Sequence, residues 1–87
     1  MDFKTLPSKE TNGGIQYIFK AKNGYGASIV KHDFSYGGRE GLWELAVIQF
    51  EVTGDWDICY DTPVTNDVLG HLSDDEVNEL LIKIQNL

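Results

Sequence analysis

Cysteine is nearly absent: Cys59 stands alone among 87 residues. A single thiol closes no internal disulfide and supplies no cysteine-rich zinc set, so a reducing compartment is expected. Proline is almost as scarce, with only Pro7 and Pro63, and the stretch between them is free to form regular structure. Long apolar runs are also missing. The longest, Leu45 to Ile48, is far short of the roughly 20 residues that cross a bilayer. Met1 to Pro7 holds no such run either, so neither a membrane span nor a signal peptide is expected. Positive charge disappears after Lys31, where only Arg39 and Lys83 remain.

What is present follows from that last shortage. Met1 to Lys31 sets five Lys against Asp2 and Glu10, a balance of +3, whereas His32 to Leu87 carries twelve carboxylates and a balance of −10. The whole chain stands at −7. Such a field repels nucleic acid and anionic lipid and attracts basic protein surfaces. Direct binding to nucleic acid or membrane is therefore not expected. Apolar residues make up 41%, with four Phe, four Tyr and two Trp, enough for one compact domain at this length.

The order of elements reads as α+β. Residues 1–14 carry Pro7, Ser8, Thr11, Asn12, Gly13 and Gly14 and read as a flexible lead-in; residues 15–87 read as the single domain. Ile15 to Lys22 alternates as a strand, Asn23-Gly24 is a two-residue hairpin signal, and Tyr25 to His32 returns. That register sets Tyr17 opposite Val30 and Phe19 opposite Ser28, with Ile29 on the other face. Gly37-Gly38 offers a second such turn, placing Lys31 opposite Glu44 and Val30 opposite Leu45. Leu42 to Thr53 is apolar on both faces, as a central strand should be. Gly54-Asp55 turns into a short fourth strand, Trp56 to Tyr60, before Pro63. Thr65 to Gly70 suggests one helical turn. Ser73-Asp74-Asp75-Glu76 is a capping box, and Val77, Leu80, Leu81, Ile84 and Leu87 form one helical stripe. The expected fold is a four-stranded antiparallel β-meander with a C-terminal α-helix packed on one face. One helix cannot cover both apolar faces of the central strand, so the lead-in or another chain, a second copy or a partner, is expected on the other, around Ile29, Ile48 and Phe50.

No constellation for catalysis stands out. His32, His71 and Cys59 lack ligand-like spacing. Asp55-Trp56-Asp57 has no calcium-loop pattern around it, and Gly24-Tyr25-Gly26 lacks the strand-to-helix setting of a phosphate loop. A nucleophile with a base and an oxyanion site is not visible. The expectation is a non-enzymatic protein with no cofactor and no metal. The candidate partner-binding residues are Asp55, Trp56, Asp57, Asp61, Asp67, Asp74, Asp75, Glu76 and Glu79. The carboxylates would meet a basic surface, with Trp56 as the apolar contact among them. The same acids also read as a solubilising surface with ordinary helix-start acids.

Three stretches bear on origin: Gly41 to Val47, Cys59 to Leu72, and Glu76 to Leu81. They resemble a group of short bacteriophage-encoded proteins, over most of the chain from Tyr25 onward. The group brings no activity and no residue roles. The resemblance implies phage origin and action in the cytoplasm of a bacterial host. Joined to the charge, it implies a small acidic protein that binds and inhibits or modulates a host protein with a basic surface. A nucleic-acid-handling defence effector such as a CRISPR nuclease is one such target. The alternative is a structural or assembly subunit of the phage, acting as a homodimer or larger oligomer through the second sheet face.

Overall fold

The computed structural model describes residues 2–65 and 67–87. The first hairpin forms inside the expected lead-in. Asn12 (φ 48°) and Gly13 (φ 82°) both take left-handed backbone, the geometry of a two-residue type I′ turn. They join β1 (Ser8–Thr11) to β2 (Gly14–Lys20), with Thr11 paired to Gly14. Ahead of β1, Phe3–Thr5 forms a short 3-10 turn that buries Phe3 completely. The polar, glycine-rich stretch that read as a loose lead-in thus makes an edge strand and a core contact.

The next hairpin, to β3 (Tyr25–Lys31), has a three-residue loop, Lys22-Asn23-Gly24. The Ala21 carbonyl accepts from Gly24 N–H, and Ala21 N–H donates to the Tyr25 carbonyl at 2.8 Å. Gly24 alone is left-handed there (φ 87°). The extra loop residue shifts the register by one: Tyr17 pairs with Ile29 and Phe19 with Ala27. β4 (Trp43–Phe50) shows the same shift, with Ile29 opposite Leu45 and Val30 opposite Glu44. Side chains alternate along a strand, so a one-residue slip turns the whole of β3 over. Ile29, expected on the second face, lies fully buried on the helix side. Gly37-Gly38 is not a tight turn either. Residues 32–42 form a long connection with a 3-10 turn at Gly38–Glu40, flanked by left-handed Gly37 and Gly41.

Among the described residues the sheet has six strands rather than four. β1 to β4 follow in order, and the outer edge of β4 is shared by two short strands. β5 (Trp56–Ile58) pairs with Ile48 to Phe50, while β6 (Leu69–Leu72) pairs with Trp43 and Leu45. The helical turn expected at Thr65 to Gly70 is replaced, over its described part, by a loop and the start of β6. Asn66 lies outside the described residues. Backbone bonding to β4 outweighs the weak local helix signal there.

The last helix, α1 (Asp74–Gln85), forms where the sequence places it. Ser73 Oγ accepts from Glu76 N–H, and the Glu76 carboxylate accepts from Ser73 N–H. Val77, Leu81 and Ile84 are fully buried in one core with Phe19, Ala27, Ile29, Leu45 and Val47. Each such side chain contributes about 1.5–3 kcal/mol of burial. The N-terminal turn also packs on this helix side, through Phe3. Phe3 N–H donates to Asn78 Oδ1 at 3.0 Å, and its ring stands edge-on to Tyr17 and Trp43. At the far end of α1, the Asn23 amide donates to the carbonyls of Ile84 (2.9 Å) and Leu87 (3.2 Å). On the second face Val30, Ala46 and Ile48 are already buried. A methyl at Gly26 would meet the Phe50 ring at 2.8 Å, so that ring lies against the glycine, with Lys20 Nζ 5.1 Å from its centroid.

Candidate protein-binding surface

The nine candidate residues fall into separate groups. β4 starts at Trp43, beside the beginning of α1, and ends at Phe50, beside β5. Its eight residues span about 23 Å. Asp74, Asp75, Glu76 and Glu79 lie on the first turns of α1, whereas Asp55, Trp56 and Asp57 lie at the other end of β4. Asp61 lies near the last turn of α1, in a cleft with Lys83 and Leu87. Asp67 sits in the loop before β6, where its carboxylate accepts from Val68 N–H at 2.7 Å.

Two helix-start carboxylates are committed to the fold. Asp74 accepts from Lys4 Nζ through one oxygen and from Trp43 Nε1 (2.7 Å) through the other. Lys31 Nζ lies 4.4 Å from the Trp43 ring centroid, so a second cation stands close to this knot. The Lys4 ammonium and then the indole N–H hold the Asp74 carboxyl below its ordinary value, while Asp74 raises Lys4. Glu76 is lowered first by its bond to the Ser73 backbone and then by the Ser73 hydroxyl. These groups stitch the N-terminal segment, the sheet and the helix start together.

The β4–β5 hairpin is different. Gln49 pairs with Asp57, Phe50 with Trp56 and Ile48 with Ile58. Glu51 N–H donates to the Asp55 carbonyl at 2.8 Å, across a tip closed by left-handed Gly54. Strand alternation then puts Glu51, Asp55 and Asp57 on the helix side and Phe50, Trp56 and Ile58 on the other. The hairpin has a carboxylate face and an apolar face, which meet along the outer edge of β5. Trp56 is half-buried, Ile58 and Tyr60 are 42% and 51% exposed, and Val52 at the tip is wholly exposed. A groove of about 480 Å³ is lined by Glu51, Asp57, Tyr60 and Asp61, together with Gln49, Phe50, Ile58 and Cys59. Among the described residues the only ion pairs are Lys4–Asp74 and a distant His71–Glu40 pair; neither involves the hairpin acids. Cys59 Sγ donates to Asp61 Oδ1 at 2.9 Å, and that carboxylate raises the thiol above its ordinary value, holding it as a donor.

The sequence reading missed Glu51, Val52, Ile58 and Tyr60 as members of this surface. The signal was only partly available: the loop is the three residues Val52-Thr53-Gly54, with left-handed Gly54 last, which makes Glu51 the cross-strand neighbour of Asp55, and period-two alternation then separates the acids from Trp56 and Ile58. Among the described residues no group of three or more His, Cys, Asp and Glu is placed to hold a metal, and no helix is long and apolar enough to cross a membrane. No protein-family model, curated protein or solved structure matches the chain. The likeness to phage-encoded proteins draws no support from these comparisons.

Proposed function

We propose that this protein is a non-enzymatic binding module that docks its β4–β5 hairpin on the basic surface of a partner protein. The observation that carries this reading is the hairpin itself: Glu51, Asp55, Asp57 and Asp61 without an ion pair among the described residues, beside exposed Ile58 and Tyr60 and half-buried Trp56. Apolar contacts surrounded by complementary charge are how specific protein interfaces combine affinity with steering. In its more specific form, the partner is a nucleic-acid-handling protein of a bacterial host, such as a CRISPR nuclease. Its basic groove would be occupied by the hairpin in place of a phosphate backbone, with inhibition or modulation as the result. That form rests on the sequence resemblance and the net charge.

The test is affinity capture from bacterial lysate at low and at high salt, with the native protein and with Trp56→Ala. A partner retained at low salt, released by salt and lost on Trp56→Ala supports the reading. A partner that holds equally in Trp56→Ala and at high salt contradicts it. Assembly through the second sheet face is the alternative. There Phe50, Trp56 and Ile58 remain at least partly accessible, while Ile48 is covered and Ile29 lies on the helix side. Light scattering that shows monomer at every concentration removes that alternative.

A further inference from the structure

The last turn of α1 and the segment after β5 enclose an open cleft of about 590 Å³. Tyr25, Val64, Ile82 and Leu87 supply its apolar lining, with Asp61 and Lys83 among its polar members. Its size falls within the range of ligand pockets. Ile82 is the informative wall. Val77, Leu81 and Ile84 are the helix residues that fill the core, and Ile82, 51% exposed, stands outside that stripe. One exposed isoleucine needs no explanation. Here, however, it meets Tyr25 and Val64, each only half-buried, around a concave space.

Asp61 lines both this cleft and the acidic groove of the hairpin, so the two adjoin at that carboxylate. The groove side carries Glu51, Asp57 and Asp61, and among the described residues Lys83 is the one cation in either lining. An occupant therefore needs an apolar group for the cleft and positive charge on the Asp61 side. We propose that the cleft seats one apolar side chain of an extended partner segment, while a neighbouring Arg or Lys of that segment is held by Asp61, Asp57 and Glu51. This rests on the binding reading above and adds to it the chemistry of the partner's segment. The apolar side chain is worth about tenfold or more in affinity, the usual worth of burying a leucine-sized group.

The test is an amide-shift titration of isotope-labelled protein with three capped tripeptides: Arg-Leu-Arg, Arg-Gly-Arg and Glu-Leu-Glu. Arg-Leu-Arg is expected to move the amides of Val64, Ile82 and Leu87 together with those of Asp57 and Asp61. Arg-Gly-Arg is expected to bind about tenfold more weakly, and Glu-Leu-Glu to leave the hairpin unmoved. Ile82→Asp, at an exposed site, is expected to abolish the Val64 and Leu87 response with the rest of the spectrum intact. If Arg-Leu-Arg and Arg-Gly-Arg move only Asp55 to Asp61, and equally, the cleft is overturned while the hairpin reading stands. Equal cleft shifts with Glu-Leu-Glu overturn the charge argument. No shift at the hairpin with any peptide overturns both.

Discussion

Phe3 stands edge-on to Tyr17 at 5.4 Å and to Trp43 at 5.0 Å and is fully buried. Its truncation leaves a hole between two aromatic rings that cannot close. Phe3→Ala is expected to cost about 3–5 kcal/mol, a large part of an ordinary domain's stability of about 5–15 kcal/mol. Urea unfolding measures it; a loss below about 1 kcal/mol would place Phe3 outside the core. The neighbouring charges give a pH dependence with a definite sign. Asp74 and Glu76 titrate lower in the folded protein than in the unfolded chain. Their contribution is therefore complete above the ordinary carboxylate range, about 4, and is lost as pH falls through their lowered folded values. Lys4 is raised, so its contribution is complete below its ordinary value, about 10, and fades as pH rises through the raised one. Stability should be flat around neutrality and fall in acid. Asp74→Asn should be less stable than the native protein at pH 7, and the gap should narrow in acid; urea midpoints across that range read it directly.

At the scale of elements, the two Asn-Gly pairs separate what the sequence made legible from what it concealed. Asn12-Gly13 forms the type I′ turn, yet its polar surroundings read as a loose end. Asn23-Gly24 read as the type I′ turn, yet it belongs to a three-residue loop. Asn23 is not left-handed, and its side chain reaches the last carbonyls of α1. That contact is tertiary and invisible to local turn chemistry, and the one-residue difference it accompanies decides which face of β3 is buried. β6 was illegible for another reason. Gly70 and left-handed His71 (φ 56°) interrupt it with a register irregularity, so no period-two pattern survives. The helix was legible because its cap and stripe are local. Replacing Asn23 tests the loop's role. Asn23→Asp keeps the shape, removes the donor and sets a negative charge against the negative end of the helix dipole. It should destabilise by about 1 kcal/mol and by more than Asn23→Ala. Faster hydrogen exchange confined to the last turn of α1 would accompany it. Equal effects of the two variants would remove the charge part of the argument.

Across the whole molecule, the acidic excess read from the sequence resolves into carboxylates with different work. Asp74 and Glu76 hold the start of α1 and the N-terminal segment in place. Asp57 and Asp61, joined by Glu51, line a groove at the opposite end of β4, with Asp55 beside them at the hairpin tip. The expectation that these carboxylates meet a basic surface came from composition, and the distance between their groups, set by the length of β4, was not legible in it. Separation gives the central claim its test: position on the hairpin, and not total charge, determines binding. Two double reversals, Asp55→Lys with Asp57→Lys and Asp75→Lys with Glu79→Lys, carry the same net charge. Their affinities for a partner captured by the native protein are to be compared at one salt concentration. The account predicts that the hairpin pair abolishes binding and the helix pair leaves it within about twofold, a few tenths of a kcal/mol. Equal losses in the two variants, or a loss only in the helix pair, would contradict it.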